Sequence, residues 1–171
     1  PGRPLNGDEA AVFGISPTRF LMARWRPEVP GDSKYELYPN LSTPLGPGLG
    51  AWVKLENNVN VSVQAEPVLN DSDFQMRLFP GFNQIGPPMQ STFSLSELFV
   101  QAPGGTPMDF NSAQAAGLVS SGVFEYSQTD GYRLATSLAP WVGYWVRVTN
   151  ADGLDLIFPT AGRNRRSNAQ P

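Results

Sequence analysis

The sequence predicts an all-β protein of small antiparallel β-sandwich repeats, two copies of which the first is truncated, with one or two short helices. Three observations carry that prediction. The 171 residues include 17 Gly and 17 Pro, above average usage of about 7% and 5%, so the chain is dense in turns. Apolar residues make up 40% and aromatics 11%, too rich a content for a disordered chain. Short runs alternate apolar and polar side chains between clusters of Gly, Pro, Asn and Asp, which is the period of half-buried strands.

The elements follow in order. Residues 19–26 read as a strand whose hairpin partner is 35–38, across a turn segment at 27–33 that carries Pro27, Pro30, Gly31 and Asp32. Residues 45–50 form a glycine-rich turn, and Ala51-Trp52-Val53-Lys54 alternates as a strand. Val59, Val61 and Val63 alternate next, then Phe74, Met76 and Leu78, and Pro80-Gly81 marks a turn before another short strand. Ser94 and Glu97 stand at capping-box spacing, and Asn111 or Ser112 is expected to cap a helix over 113–117. Residues 123–127 and 132–135 form a second hairpin around 128–131. Asn150-Ala151-Asp152-Gly153 predicts a hairpin joining 144–148 to 154–158, because Asp-Gly suits a tight turn between paired strands.

An internal repeat organises these elements. Residues 45–54 match residues 138–147 without a gap: Leu45, Pro47, Gly50, Trp52 and Val53 recur as Leu138, Pro140, Gly143, Trp145 and Val146. Upstream, Ala23-Arg24-Trp25 with Tyr35-Glu36-Leu37 parallels Gly122-Val123-Phe124 with Tyr132-Arg133-Leu134, and Asp8 to Gly14 resembles Ser112 to Gly117. Downstream, Val59, Val61 and Val63 line up with Leu154, Leu156 and Phe158. Residues 74–100 occur once and belong at the start of a complete unit. The expected organisation is therefore a truncated first repeat over 1–69, a complete second repeat over 70–159 and a basic tail over 160–171.

The repeat resembles a family of bacterial exported and surface β-sandwich repeats with motifs of the type G-W-N-L-I-G-x-P and L-x-P-G-x-G-Y-W-V. Gly81-Phe82-Asn83-Gln84-Ile85-Gly86-Pro87-Pro88 carries the first, with Phe82 for Trp and Gln84 for Leu, and residues 45–53 and 138–146 carry the second. The resemblance implies a non-catalytic module of secreted, surface or adhesive proteins, and it supplies no catalytic residues.

Composition narrows the chemistry. With no Cys and no His the chain has no Ser-His or Cys-His nucleophile pair, zinc finger, dithiol redox centre or haem ligand of the usual kinds, and the expectation is no enzyme and no cofactor. A net charge of −3 gives no general attraction to nucleic acid or to an anionic membrane. No apolar run approaches the roughly 18 residues of a membrane-spanning helix, so no membrane insertion is expected. The chain starts at Pro1 rather than Met, which reads as processing or as a piece of a larger protein.

Candidate sites are few. Gly46-Pro47-Gly48-Leu49-Gly50 could approach an anion through its backbone, but a strand follows it instead of a helix, and a tight turn explains it. Asp71 and Asp73, with Asn70 and Ser72, form a weak calcium cluster, and Asn150, Asp152 and Asp155 a weaker one, neither with EF-hand spacing. Trp25, Trp52, Trp145, Tyr35, Tyr132 and Phe124 recur at repeat positions as core-forming side chains should. Trp141 faces Gly48 in the repeat and is the aromatic expected at the surface, able to stack on a sugar or a neighbouring subunit. Arg163, Arg165 and Arg166 make the tail basic. Asn40, Asn60 and Asn70 each open a glycosylation sequon.

These features point to a secreted or cell-surface bacterial structural subunit. A truncated first sandwich leaves a sheet edge, and such an edge is a template for another chain. The expected partner is a further copy of the chain, joined by strand addition into a filament or surface layer, with residues 1–5 or 160–171 as donor. The alternative is a carbohydrate-binding or adhesive module of a larger secreted protein.

Overall fold

The computed structural model describes residues 21–57 and 72–160, together with the backbone of residues 3–4 and 65–66. Its strands are β1 (Arg3–Pro4), β2 (Leu21–Trp25), β3 (Tyr35–Leu37), β4 (Trp52–Lys54), β5 (Ala65–Glu66), β6 (Phe74–Leu78), β7 (Gly81–Ile85), β8 (Phe93–Ser94), β9 (Phe99–Gln101), β10 (Met108–Asp109), β11 (Val119–Ser127), β12 (Gly131–Leu134), β13 (Ser137–Leu138), β14 (Tyr144–Val148) and β15 (Leu154–Phe158). A 3-10 turn at Leu95–Glu97 and a helix at Phe110–Ala115 complete the described elements. The fold is all-β, and every strand pairing is antiparallel.

Two four-stranded sheets, ordered β10-β9-β15-β6 and β12-β11-β14-β7, enclose one apolar core. Leu78, Val100, Leu154, Leu156 and Phe158 enter it from the first sheet, and Ile85, Val123, Tyr144, Val146 and Val148 from the second. Phe110 and Ala113 of the helix join the same core. Each such large side chain contributes about 1.5–3 kcal/mol relative to exposure. Ser94 and Glu97 form the expected capping box. The helix cap lies earlier than expected: Asp109, and not Asn111 or Ser112, accepts from the Ser112 N–H at 2.9 Å and starts the helix at Phe110. The Ser112 hydroxyl and then its backbone N–H hold the Asp109 carboxyl below its ordinary pKa, which is what an anionic cap requires.

The turn at 150–153 corrects another expectation. Residues 144–148 and 154–158 are not a hairpin: β14 pairs with β11 and β7, whereas β15 pairs with β6 and β9. Both edges of β14 are already taken, so the chain crosses to the opposite sheet. β6 and β7 are joined in the same way, and the two crossings stack, β6 on β15 and β7 on β14.

Asn83 explains how the Pro80-Gly81 crossing is held. Its Oδ1 accepts from the Phe79 N–H at 2.9 Å, and its Nδ2 donates to Phe79 O at 2.7 Å and to Gly81 O at 3.0 Å. Asn83 is only 3% exposed, so these bonds replace water that cannot reach the crossing.

The third sheet, β3-β2-β4, repeats the meander β12-β11-β14. Ala23 pairs with Leu37 and Trp52 as Phe124 pairs with Leu134 and Trp145; Trp25 pairs with Tyr35 as Tyr126 pairs with Tyr132. The counterpart of Trp25 is therefore Tyr126 and not Phe124, a two-residue correction that keeps the same face because strand side chains alternate with period two. Arg24 opposite Glu36 becomes Glu125 opposite Arg133, the charges exchanged. Beneath the first meander, Met22 packs with Tyr38, Leu41, Leu45, Ala51 and Leu55, and Arg24 donates to Thr43 O at 2.9 Å.

Replacing Asn83 by Ala leaves the Phe79 N–H without its partner, and we expect a loss of about 1–3 kcal/mol in urea unfolding. Asn83→Asp should recover little of it, since an ionised carboxylate cannot donate to Phe79 O or Gly81 O. A loss below about 0.5 kcal/mol for Asn83→Ala would show that the crossing is held by other contacts.

Candidate functional site

Alternation along β11 and β14 sends Val123, Tyr144 and Val146 into the core and turns Phe124, Tyr126 and Trp145 to the other side. β12 and β7 add Tyr132, Leu134 and Phe82 to that outer face. The first meander presents the same pattern with Trp25, Tyr35, Leu37 and Trp52. The aromatic faces of the two meanders meet.

Their contacts are reciprocal. Trp25 of the first meander meets Trp145 of the second at 5.6 Å between ring centroids and 75°. Trp52 of the first meets Tyr126 of the second at 5.0 Å and 78°. Since Trp25 corresponds to Tyr126 and Trp52 to Trp145, these are one contact made twice, which is the mark of an approximate two-fold axis. Leu37 and Leu134, which also correspond, are 62% and 65% exposed, so the equivalence extends to the rim. The edge-on arrangement suits the ring quadrupoles and adds about 0.5–1.5 kcal/mol per pair beyond area burial. The Trp25 indole N–H also donates to Phe82 O at 2.7 Å, tying the first meander to β7.

The symmetry is broken where Ala23 of the first meander stands for Phe124 of the second. Trp52, Tyr126 and Tyr132 close on one another in edge-on contacts, and Trp25 does the same with Tyr35 and Trp145. Beside Phe124 lies an open cleft of about 430 Å³, lined by Trp25, Tyr35, Phe82, Phe124, Tyr132 and Trp145. Burial and then the nearby Tyr35 and Tyr126 hydroxyls raise the pKa of Tyr132, so it stays a neutral phenol at physiological pH.

These aromatics correct the expectation that they build the sandwich core. They recur in the repeat because they pack one meander against the other, on the face turned away from the core. Phe82 was not singled out by the repeat because β7 occurs once.

The turns before β4 and β14 converge on the end of β7. Gly50 N donates to Gln84 O at 3.1 Å and Gly86 N to Gly48 O at 2.9 Å, while Tyr144 pairs with Ile85 from the other edge. A Cβ on Gly50 would lie 2.9 Å from Gln84 Cγ and from Ile85 O, so glycine is what lets the chain come this close. Gln84 is buried there, and among the described residues its Oε1 has no hydrogen-bond partner.

Trp141 is 58% exposed and sits in the left-handed region at φ 66. Its repeat counterpart Gly48 has φ 83. Both are third residues of turns closed by Val142 N to Ala139 O and Leu49 N to Gly46 O, with Pro140 and Pro47 second, the type II pattern that favours Gly or Asn in that place. In the first repeat a Cβ would meet Met76 Sδ and Phe74 Cε1 at 2.9 Å; in the second an exposed indole occupies the strained position. The buried Tyr144 hydroxyl accepts from the Ala139 N–H at 2.7 Å and pins this turn.

The remaining candidates divide. Asp73 accepts from the Thr160 N–H at 3.0 Å, and Asp155 from Gln75 Nε2 at 3.0 Å; Asp71, Asn60, Asn70, Arg163, Arg165 and Arg166 lie outside the described residues, as do 8–14 and 59–63. Among the described residues no group of three or more acidic side chains is placed to hold a metal, and no helix is long and apolar enough to cross a membrane. Arg3–Pro4 pairs with Ala65–Glu66, so the backbone of the expected N-terminal donor is engaged within its own chain. No family model, curated protein or solved structure matches the chain. What fold and site define is an all-β protein whose two four-stranded sheets carry the first meander on their outer aromatic face.

Trp141→Gly removes a left-handed strain of about 1–2 kcal/mol against an unfolded-state entropy gain of about 0.4–1 kcal/mol. We expect a net stabilisation of about 0.5–1 kcal/mol in urea unfolding. A loss above about 1 kcal/mol would show that the indole is a packing element.

Proposed function

We propose that the chain is a non-catalytic, extracellular structural subunit that assembles into a filament or layer by strand addition between copies. The observation that carries this reading is that, among the described residues, β4 has no strand on its outer edge. In the second repeat the meander β12-β11-β14 continues into β7. In the first, among the described residues, the sheet ends at β4.

The hydrogen-bond parity of that edge supports the reading. Tyr38 N donates to Met22 O and Arg26 N to Lys34 O, so the even-numbered residues of β2 bond β3 and the odd-numbered ones bond β4. β4 is thus bound to β2 through Trp52 and Lys54, opposite Ala23 and Leu21. The N–H and C=O of Val53 point away from the sheet, and its side chain is 36% exposed. A strand added there would take the place that β7 holds beside β14, with main-chain bonds giving affinity and alternate side chains specificity. A donor following β15, from residue 160 onward, makes the contact heterologous, and such contacts propagate. The resemblance to exported repeats agrees with an extracellular setting.

A second reading, an adhesive or carbohydrate-binding module, is favoured by Trp141, an exposed indole kept at a position suited to glycine. Strain of that kind concentrates at functional sites.

Val53→Pro removes the outward N–H without removing a β2 bond. Sedimentation and negative-stain electron microscopy should show polymers for the parent chain and single subunits both for this variant and for a chain ending at residue 160. A monomeric parent at high concentration, or polymers unchanged by both variants, would sink the proposal.

A further inference from the structure

We propose that the aromatic cleft between the two meanders is a binding site for a small, uncharged, flat aromatic ligand. The inference is independent of strand addition at β4, whose edge is made of other residues.

The chemistry of the lining selects the ligand class. All six residues are aromatic: Trp25, Tyr35, Phe82, Phe124, Tyr132 and Trp145. None carries a charge at neutral pH, so an ionised ligand would lose its hydration without gaining a counter-charge. Polar capacity is also partly used, since the Trp25 N–H is committed to Phe82 O and the Tyr35 hydroxyl accepts from Trp52 Nε1 at 3.3 Å. A sugar brings a hydroxyl on nearly every carbon, and each one buried here without a partner is penalised. An apolar molecule has no such cost.

Size and shape agree. The volume of about 430 Å³ falls in the range of about 300–1,000 Å³ typical of small-molecule pockets. Trp25 meets Tyr35 at 67° and Trp145 at 75°, and Phe82 meets Trp145 at 86°. With the rings set edge to face, the faces they do not give to one another are available to a flat guest. Phe124 lines the cleft and its counterpart in the first meander is Ala23, so the lining is a property of this sequence and not of the repeat in general.

The test is fluorescence titration of the full chain with N-phenyl-1-naphthylamine, an uncharged aromatic probe, followed both by probe emission and by quenching of tryptophan. Saturable binding of one probe per chain is expected. Phe124→Trp, which fills the cleft from a residue that already lines it, should weaken binding about tenfold, the factor that about 1.4 kcal/mol represents. Tyr132→Ala, at the exposed rim, should weaken it while leaving the far-ultraviolet circular dichroism unchanged, and Trp141→Gly, outside the lining, should bind as the parent does. Naphthalene should displace the probe and maltotriose should not. Non-saturable binding, equal affinity in parent and both cleft variants, displacement by maltotriose, or a dimer that dissociates as the probe binds would each overturn the proposal, the last by showing that a second chain occupies the cleft.

Discussion

One strand carries two structures. β7 offers one edge to β14 and the end of the other to residues 48–50, and both repeated turns are anchored on Gln84, Ile85 and Gly86. That double use needs close approach of three backbones, which the glycine at 50 permits. It also needs β7 to be aimed correctly, and Asn83 does this by satisfying Phe79 and Gly81 where the chain passes from one sheet to the other. The short motif around Asn83 is thus the joint of the molecule, linking the sandwich core on one side to the first meander on the other.

The aromatic interface depends on that joint. Because residues 48–50 are fixed on β7, β4 emerges with Trp52 over Tyr126, and Trp25 falls between Trp145 and Phe82. A duplicated meander brings its own complement: any face that can pack on its twin needs only a two-fold arrangement to do so. The departures from symmetry are then the informative positions. Phe124, where the first meander has Ala23, adds an aromatic wall to the cleft. Trp141 for Gly48 places an indole at the surface in a backbone conformation that disfavours it. Among the described residues, no strand beside β4 is the counterpart of β7. Each departure is a place where the second copy of a shape was not simply repeated.

Much was legible in the residues alone. Period-two alternation placed the hairpins of β2 with β3 and β11 with β12, and the spacing of Ser94 and Glu97 located the 3-10 turn, because those signals are local. The turn at Asp152-Gly153 marks where local signals stop deciding. A tight turn specifies a reversal of direction, but whether the next strand pairs with the last or crosses to the opposite sheet depends on which edges are already occupied, and β14 has none to spare. The helix start was displaced by one carboxylate, since Asp109 reaches the Ser112 N–H that Asn111 cannot. Phe124 and Tyr126 share a face, so alternation does not distinguish them as the counterpart of Trp25, and only the ladder of cross-strand pairs sets register.

The sequence by itself determined that this chain is all-β, that it contains a duplicated meander with recurring aromatic positions, and that chemistry based on thiol or imidazole is closed to it. These conclusions rest on composition, alternation and short-range spacing, which act within a few residues. Tertiary structure alone decided that the aromatics face one another instead of the core, that β7 serves both repeats, and that a cleft remains beside Phe124. A strand has two faces of equal standing in its sequence. Which of them meets the opposite sheet and which meets the other meander is settled by how the sheets pack.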